Sequence, residues 1–171
     1  ALQASQRRHR LQGMSEHDQQ PVAAEHEAGE AGTEPRRMRL QGLHHVTAIV
    51  RDLDRTTAFY RDLLGLALLE AGRNEDDPDA RLFWFGDGVG TPGTLVSFME
   101  YPSMEEAAQG RGGVHHFAFL VSGREELEAW AGYLEQGGVA VSEIYDRGRF
   151  SSLYFRDPDG HLVELATPPA A

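Results

Sequence analysis

Arg147-Gly148-Arg149-Phe150-Ser151-Ser152-Leu153-Tyr154-Phe155-Arg156-Asp157-Pro158-Asp159-Gly160-His161-Leu162-Val163-Glu164-Leu165 reads as two strands joined by a tight turn. Pro158 presets φ for the turn, and Gly160 is free to take positive φ, so Asp157–Gly160 closes a β-hairpin. Glu164 sits between Val163 and Leu165 on the return strand. A carboxylate there is costly to bury unless a cation meets it.

Upstream of this hairpin the pattern predicts a strand over 139–145 and a helix over 124–136. The helix carries Leu127, Trp130, Ala131 and Leu134 on one face and ends at Gly137-Gly138. Before it, Gly113-Val114-His115-His116-Phe117-Ala118-Phe119-Leu120-Val121 reads as another strand. The first half of the chain has the same grammar. His44-His45-Val46-Thr47-Ala48-Ile49-Val50 alternates as a strand, with Val46, Ala48 and Val50 on one face and His45, Thr47 and Ile49 on the other. Asp52 or Asp54 caps a helix whose stripe Phe59, Tyr60, Leu63 and Leu64 stops at Gly65. Strands follow at 66–70, 81–85 and 94–99. The chain is therefore two tandem βαβββ modules, at about 43–100 and 113–167, joined by a linker over 101–112.

Bulk properties narrow the function. With 171 residues there is room for one domain plus a tail, and 40% hydrophobic residues suffice for a core. A net charge of −11 argues against nucleic acid as a partner, and no apolar run is long enough for a membrane span. The absence of cysteine restricts any metal ligands to His, Asp and Glu. Residues 1–39 are polar, hold His9, His17 and His26, and show no secretory h-region. They read as a flexible tail or one that wraps a partner, ahead of a domain over 40–171. A cytoplasmic protein is the expectation.

On the second module's first strand, His116 shares a face with Ala118 and Leu120, opposite Phe117, Phe119 and Val121. Glu164 likewise opposes Val163 and Leu165. Modules set side by side would line a cleft with His45, His116 and Glu164. Two imidazoles and one carboxylate with open positions suit Fe(II) or Mn(II) better than a closed structural Zn site, with Zn or Ni still open. The plainer alternative is that each His-His pair merely starts a strand and Glu164 is a solvated edge residue.

Over about residues 40–167 the repeated unit resembles the vicinal oxygen chelate superfamily, which includes glyoxalase I, extradiol dioxygenases, fosfomycin-resistance enzymes and bleomycin-binding proteins. The resemblance rests on His45-Val46 with Asp52 and Phe59-Tyr60, on His116-Phe117-Ala118-Phe119, and on Asp157-Pro158-Asp159-Gly160 with Glu164. It implies an α+β fold, a curved mixed sheet around a metal cleft, and ligands His45, His116 and Glu164. Glyoxalase I uses a fourth protein ligand where this chain aligns Ser97, which disfavours that activity. Fosfomycin-type thiol transferases use His, His and Glu, with a Thr two residues after the first His, as Thr47 is here, and stay open.

Within the superfamily the chain is most similar to hydroquinone-type ring-cleaving dioxygenases. The likeness lies in His44-His45-Val46-Thr47-Ala48-Ile49, Gly86-Asp87, Pro92-Gly93-Thr94, and the run from Arg147 through Pro158, with Tyr154 ten residues before Glu164. It implies supporting roles for His44, Thr47, His115, Arg147 and Tyr154, and a small aromatic substrate with O2. His44 and His115 would transfer protons, and Arg147 and Tyr154 would stabilise negative charge. That branch usually has four modules in two domains; this chain has two. The exposed sheet edges of such a half favour a homodimer. Whether the site lies within one chain or across the dimer stays open, as does the alternative of a sequestering protein.

Overall fold

Residues 39–169 are described by the computed structural model. The expected tail, with His9, His17 and His26, falls almost wholly outside them. Leu40–Ala171 form one compact unit. Its elements are β1 (His45–Val50), α1 (Leu53–Thr57), β2 (Ala67–Arg73), β3 (Arg81–Gly86), β4 (Leu95–Glu100), β5 (Phe117–Leu120), α2 (Arg124–Gln136), β6 (Tyr145–Asp146), β7 (Ser151–Arg156) and β8 (Leu162–Ala166). They make two four-stranded mixed sheets, ordered β1-β4-β3-β2 and β5-β8-β7-β6. In each, the first strand runs parallel to the last and the remaining pairings are antiparallel. The repeat expected from the sequence is thus a repeat of topology.

Local chemistry fixes several element ends. Asp52 is the N-cap of α1, its Oδ1 accepting from the Asp54 and Arg55 amides at 2.9 and 3.1 Å. Asp54, the other candidate cap, pairs with Arg81 at 2.9 Å. After Thr57 the helix widens into a π-helical turn, Ala58–Leu63, where the Leu64 amide reaches the Phe59 carbonyl at 2.9 Å. Phe59 and Tyr60, adjacent in sequence, are both buried there; Phe59 packs toward Phe155 and Tyr60 against Phe98. The Asp157–Gly160 turn forms as read, with Gly160 at φ +90°.

Two strands are shorter than the sequence predicts. β5 begins at Phe117, opposite Val163 of β8, and upstream the expected strand is replaced by a turn in which the Gly113 amide donates to the Gly110 carbonyl. His115 and His116 therefore lie just before the strand. The expected strand over 139–145 is reduced to an isolated Val141–Phe155 bridge and to β6. Between them the Ser142 hydroxyl accepts the Tyr154 amide at 2.9 Å, where a strand carbonyl would otherwise accept it, and the ladder is interrupted.

One apolar core serves both modules. Val50, Val96 and Phe98 of the first sheet and Leu153, Val163 and Leu165 of the second belong to a single buried cluster with residues of the helices. Both sheets therefore turn their helix-bearing faces toward a common interior. A buried polar knot crosses the same junction. The Tyr60 hydroxyl donates to Asp157 Oδ2 at 2.9 Å, and His161 Nδ1 meets that oxygen at 2.8 Å. Asp157 Oδ1 accepts the Asp159 and His161 amides. Burial foremost, then the Asp157 charge, raises the Tyr60 pKa well above its usual value, which keeps it a donor. The hydrogen bond to Asp157 likewise raises the His161 pKa. Arg51 and Arg55 extend the clamp, through the Asp159 carboxylate and the Pro158 carbonyl.

Candidate metal centre

The β8 register places Glu164 beside Ala118 of β5 and Tyr154 of β7. Its side chain is buried, on the sheet face away from the shared core. His116, two residues before Ala118, reaches the same spot, and its Nε2 lies 3.0 Å from Glu164 Oε2. The other imidazole nitrogen is engaged, since His116 Nδ1 is 2.9 Å from His115 Nδ1. One of those two nitrogens carries the shared proton. With the proton on His116 Nδ1, its Nε2 presents a bare lone pair to a carboxylate oxygen. Two lone pairs so close require a proton or a cation between them. Donors each about 2.1 Å from one ion, at a right angle, lie about 3.0 Å apart, so the pair fits two adjacent positions of a divalent metal.

Tyr154 holds the carboxylate from behind, donating to Glu164 Oε1 at 2.5 Å. Its hydroxyl also meets Ser152 Oγ and Arg147 Nη2, each at 3.2 Å. Arg147 projects from the turn after β6, where the Arg147 amide donates to the Phe150 carbonyl and Gly148 adopts φ +77°. Its guanidinium lies 4.7 Å from the Tyr145 ring centre and 5.5 Å from that of Tyr154. These side chains, with His115, His116, Ser142 and Leu162, line a cleft of about 340 Å³.

The first module carries the same histidine arrangement. His44 Nδ1 and His45 Nδ1 are 2.9 Å apart, and the two rings cross at 86°, against 83° in the His115–His116 pair. Where the second module sets Tyr154 opposite Glu164, the first sets Trp84 opposite Ser97. The Ser97 hydroxyl is 2.7 Å from that of Thr47, and Trp84 packs on the His45 ring at 4.8 Å between centres. A hydroxyl pair thus stands where the carboxylate would be.

Among the described residues no group of three or more His, Asp or Glu converges on one point. His116 and Glu164 come together; His45 does not join them. The shared core explains the separation. His45 and Glu164 lie on the faces of their sheets opposite the common interior, so a single chain holds them apart. Those same faces expose Ile49 (45%) and Leu120 (75%).

Sequence reading missed Tyr145, Ser142 and Leu162 as parts of the cleft. Period-two parity signals one of them, since Tyr145 precedes Arg147 by two residues. Trp84 stands on the His45 face, whereas Phe85 and Phe98 are fully buried.

Comparison with known proteins agrees with this architecture. The family model of the Glyoxalase/Bleomycin resistance protein/Dioxygenase superfamily matches residues 42–165. The chain belongs to that superfamily. It is 32% identical over 128 residues to MhqA of Bacillus subtilis (strain 168), named as a candidate ring-cleaving dioxygenase, covering 75% of this chain and 40% of that protein. The glutathione transferase FosA of Serratia marcescens is 33% identical over 127 residues, covering 74% of this chain and 80% of that protein. A crystal structure of a candidate dioxygenase from B. subtilis superposes with TM-score 0.70 at 30% identity, covering 75% of this chain and 41% of that one. The Listeria monocytogenes fosfomycin resistance protein FosX, solved with Mn(II), gives TM-score 0.56 at 26% identity, over 75% and 93%. The chain thus spans about two fifths of the MhqA-type relative. No helix of the described residues is long and apolar enough to cross a membrane.

Proposed function

We propose that this protein is a metal-dependent ring-cleaving dioxygenase acting on a hydroquinone- or catechol-like ring with O2. Its metal, Fe(II) ahead of Mn(II), is held by His116 and Glu164 of one copy and His45 of a second, within a homodimer of the 40–171 domain. The observation that carries this is the split ligand set: a preformed His116–Glu164 pair, and His45 on another exposed face with its Nε2 free of any partner among the described residues. A partner module laid over the cleft would bring His45, Thr47 and Trp84 to it while covering Ile49 and Leu120.

When bound, the metal supplies a Lewis acid that lowers the pKa of a ring hydroxyl and gathers both reactants. The protein does the rest. His115 fixes the His116 ring through Nδ1 and keeps its own Nε2 available to hold a proton beside the cleft. Tyr154 holds the Glu164 carboxylate in place with its O–H, and Arg147, which donates to the Tyr154 hydroxyl, offers its remaining N–H groups to charge developing on the ring oxygens. Thr47, bonded to Ser97, presents a hydroxyl beside His45.

The second reading is a metal-dependent thiol transferase, favoured by the FosA likeness because it spans 80% of that protein. Elemental analysis after anaerobic purification, then O2-electrode assays with hydroquinones, separates the two. Iron with O2 uptake, lost in His116→Ala and Glu164→Ala, supports the dioxygenase; bound metal with no uptake on any phenol favours the transferase. Mixing inactive His45→Ala and His116→Ala copies restores one intact site per heterodimer, about a quarter of wild-type activity. No recovery after subunit exchange rules out the shared site.

A further inference from the structure

We propose that the Tyr145–Arg147 turn selects a substrate whose aromatic ring carries an anionic substituent, a carboxylate in the first instance; the aromatic ring itself rests on the dioxygenase reading. Three observations carry the inference.

Arg147 has no carboxylate partner among the described residues, in a chain whose net charge is −11. Arg61, Arg81 and Arg124 each pair with an acid, and Arg55, Arg73 and Arg156 donate to backbone carbonyls. Arg39, Arg51, Arg111 and Arg149 also lack an acid partner among the described residues, but of the unpaired arginines only Arg147 lines the cleft beside His116. Arg147 spends one N–H on the neutral Tyr154 hydroxyl and leaves the rest of its planar fork unused.

The fork is held ready. Two tyrosine rings flank the guanidinium, and the turn beneath it is closed by the Arg147–Phe150 hydrogen bond and by Gly148. A guanidinium immobilised in this way loses little freedom when it takes a carboxylate in two parallel hydrogen bonds.

The third observation is where the fork sits. It shares one cleft with His115 and His116, walled by Tyr145, Tyr154 and Leu162 and lined by no acidic side chain. The acid beneath it, Glu164, is already bonded to Tyr154 and His116. An aromatic ring bound beside His116 in this cleft therefore has Arg147 within reach of a substituent. A neutral ring leaves that cation unanswered.

Benzoate and benzyl alcohol, isosteric and inert to ring cleavage, test this by titration calorimetry on the full chain at low salt. Benzoate is expected to bind about tenfold more tightly, a preference that shrinks in 1 M NaCl. In Arg147→Gln the ratio falls to near one, and Arg147→Lys keeps part of it. Equal affinities, a ratio that survives Arg147→Gln, or no binding of either ligand at millimolar concentration each overturns the proposal. O2 uptake with 2,5-dihydroxybenzoate and with unsubstituted hydroquinone then separates it from the reading it deepens. Benzoate selectivity without uptake on either ring leaves the anion site standing and removes the dioxygenase. Equal kcat/KM for both rings does the reverse.

Discussion

Replacing Tyr60 by Phe removes one hydroxyl from the junction and little else. The ring keeps its contacts with Phe59 and Phe98, at 5.3 and 4.5 Å between centres, so no cavity opens. What is lost is a 2.9 Å bond to a fully buried carboxylate. Hydrogen bonds to charged groups contribute about 1.5–3 kcal/mol, and Asp157 keeps three other donors, so the lower end, about 1.5 kcal/mol, applies. In a domain of this size that lowers Tm by roughly 5–7 °C. The two tryptophans make the assay specific, because Trp84 is in β3 and Trp130 in α2. Guanidinium unfolding of Trp84→Phe and Trp130→Phe backgrounds follows each module separately. Both probes are expected to share one midpoint, and Tyr60→Phe to lower both together. A loss below about 0.5 kcal/mol, or wild-type midpoints that differ between the probes, would falsify the view that one core and one polar knot fuse the modules.

The other expectations can be checked on the same material. His161 has a folded pKa above its ordinary value, so its contribution is present in full below about pH 6.5 and fades as pH rises through the elevated value. The stability gap between wild type and His161→Gln should therefore narrow from pH 5.5 to pH 9 in urea titrations; a gap that widens contradicts the assignment. Arg81→Met leaves the largely buried Glu100 with only the Leu53 amide and should cost about 2 kcal/mol by denaturant midpoint, with Glu100→Gln costing less. Gly160→Ala forces a Cβ into φ +90° and should lose about 1 kcal/mol or more. Leu120→Glu charges the exposed face beside Glu164; if the proposed homodimer forms through that face, light scattering should show it shift to monomer without loss of secondary structure.

Where a feature depends on neighbours in sequence, it was legible. Asp52 and Asp54 narrow the cap to two residues, Gly137-Gly138 mark the end of α2, and Asp157–Gly160 the hairpin. Alternation told the faces apart, so His45, Thr47 and Ile49 do oppose Val46, Ala48 and Val50. The alignment of Ser97 with Glu164 emerges as a matching register, Trp84 beside one and Tyr154 beside the other. Features that depend on distant partners were not. β5 is short because a Gly110–Gly113 turn takes the place of its expected start, and the strand before β6 fails because one Ser142 hydroxyl intercepts an amide. The separation of His45 from Glu164 follows from which sheet faces meet in the core. No local pattern states that choice, since either face of a sheet bearing Trp84 or Leu120 is apolar enough to be buried.

The Tyr60–Asp157 bond joins residues 97 positions apart. On a ribosome adding about 5–20 residues per second, roughly 5–20 s pass between the synthesis of its two ends. Throughout that interval Phe59 and Tyr60 have no Phe155 or Asp157 to pack against, and the first module waits with an unsealed apolar flank. Its own four-stranded sheet and the Asp52 cap form from residues already made, which gives the nascent chain something to hold while it waits. Sealing belongs to the last hairpin. A chain that stops before Asp157 would therefore leave Phe59 and Tyr60 of the first module without the residues that cover them.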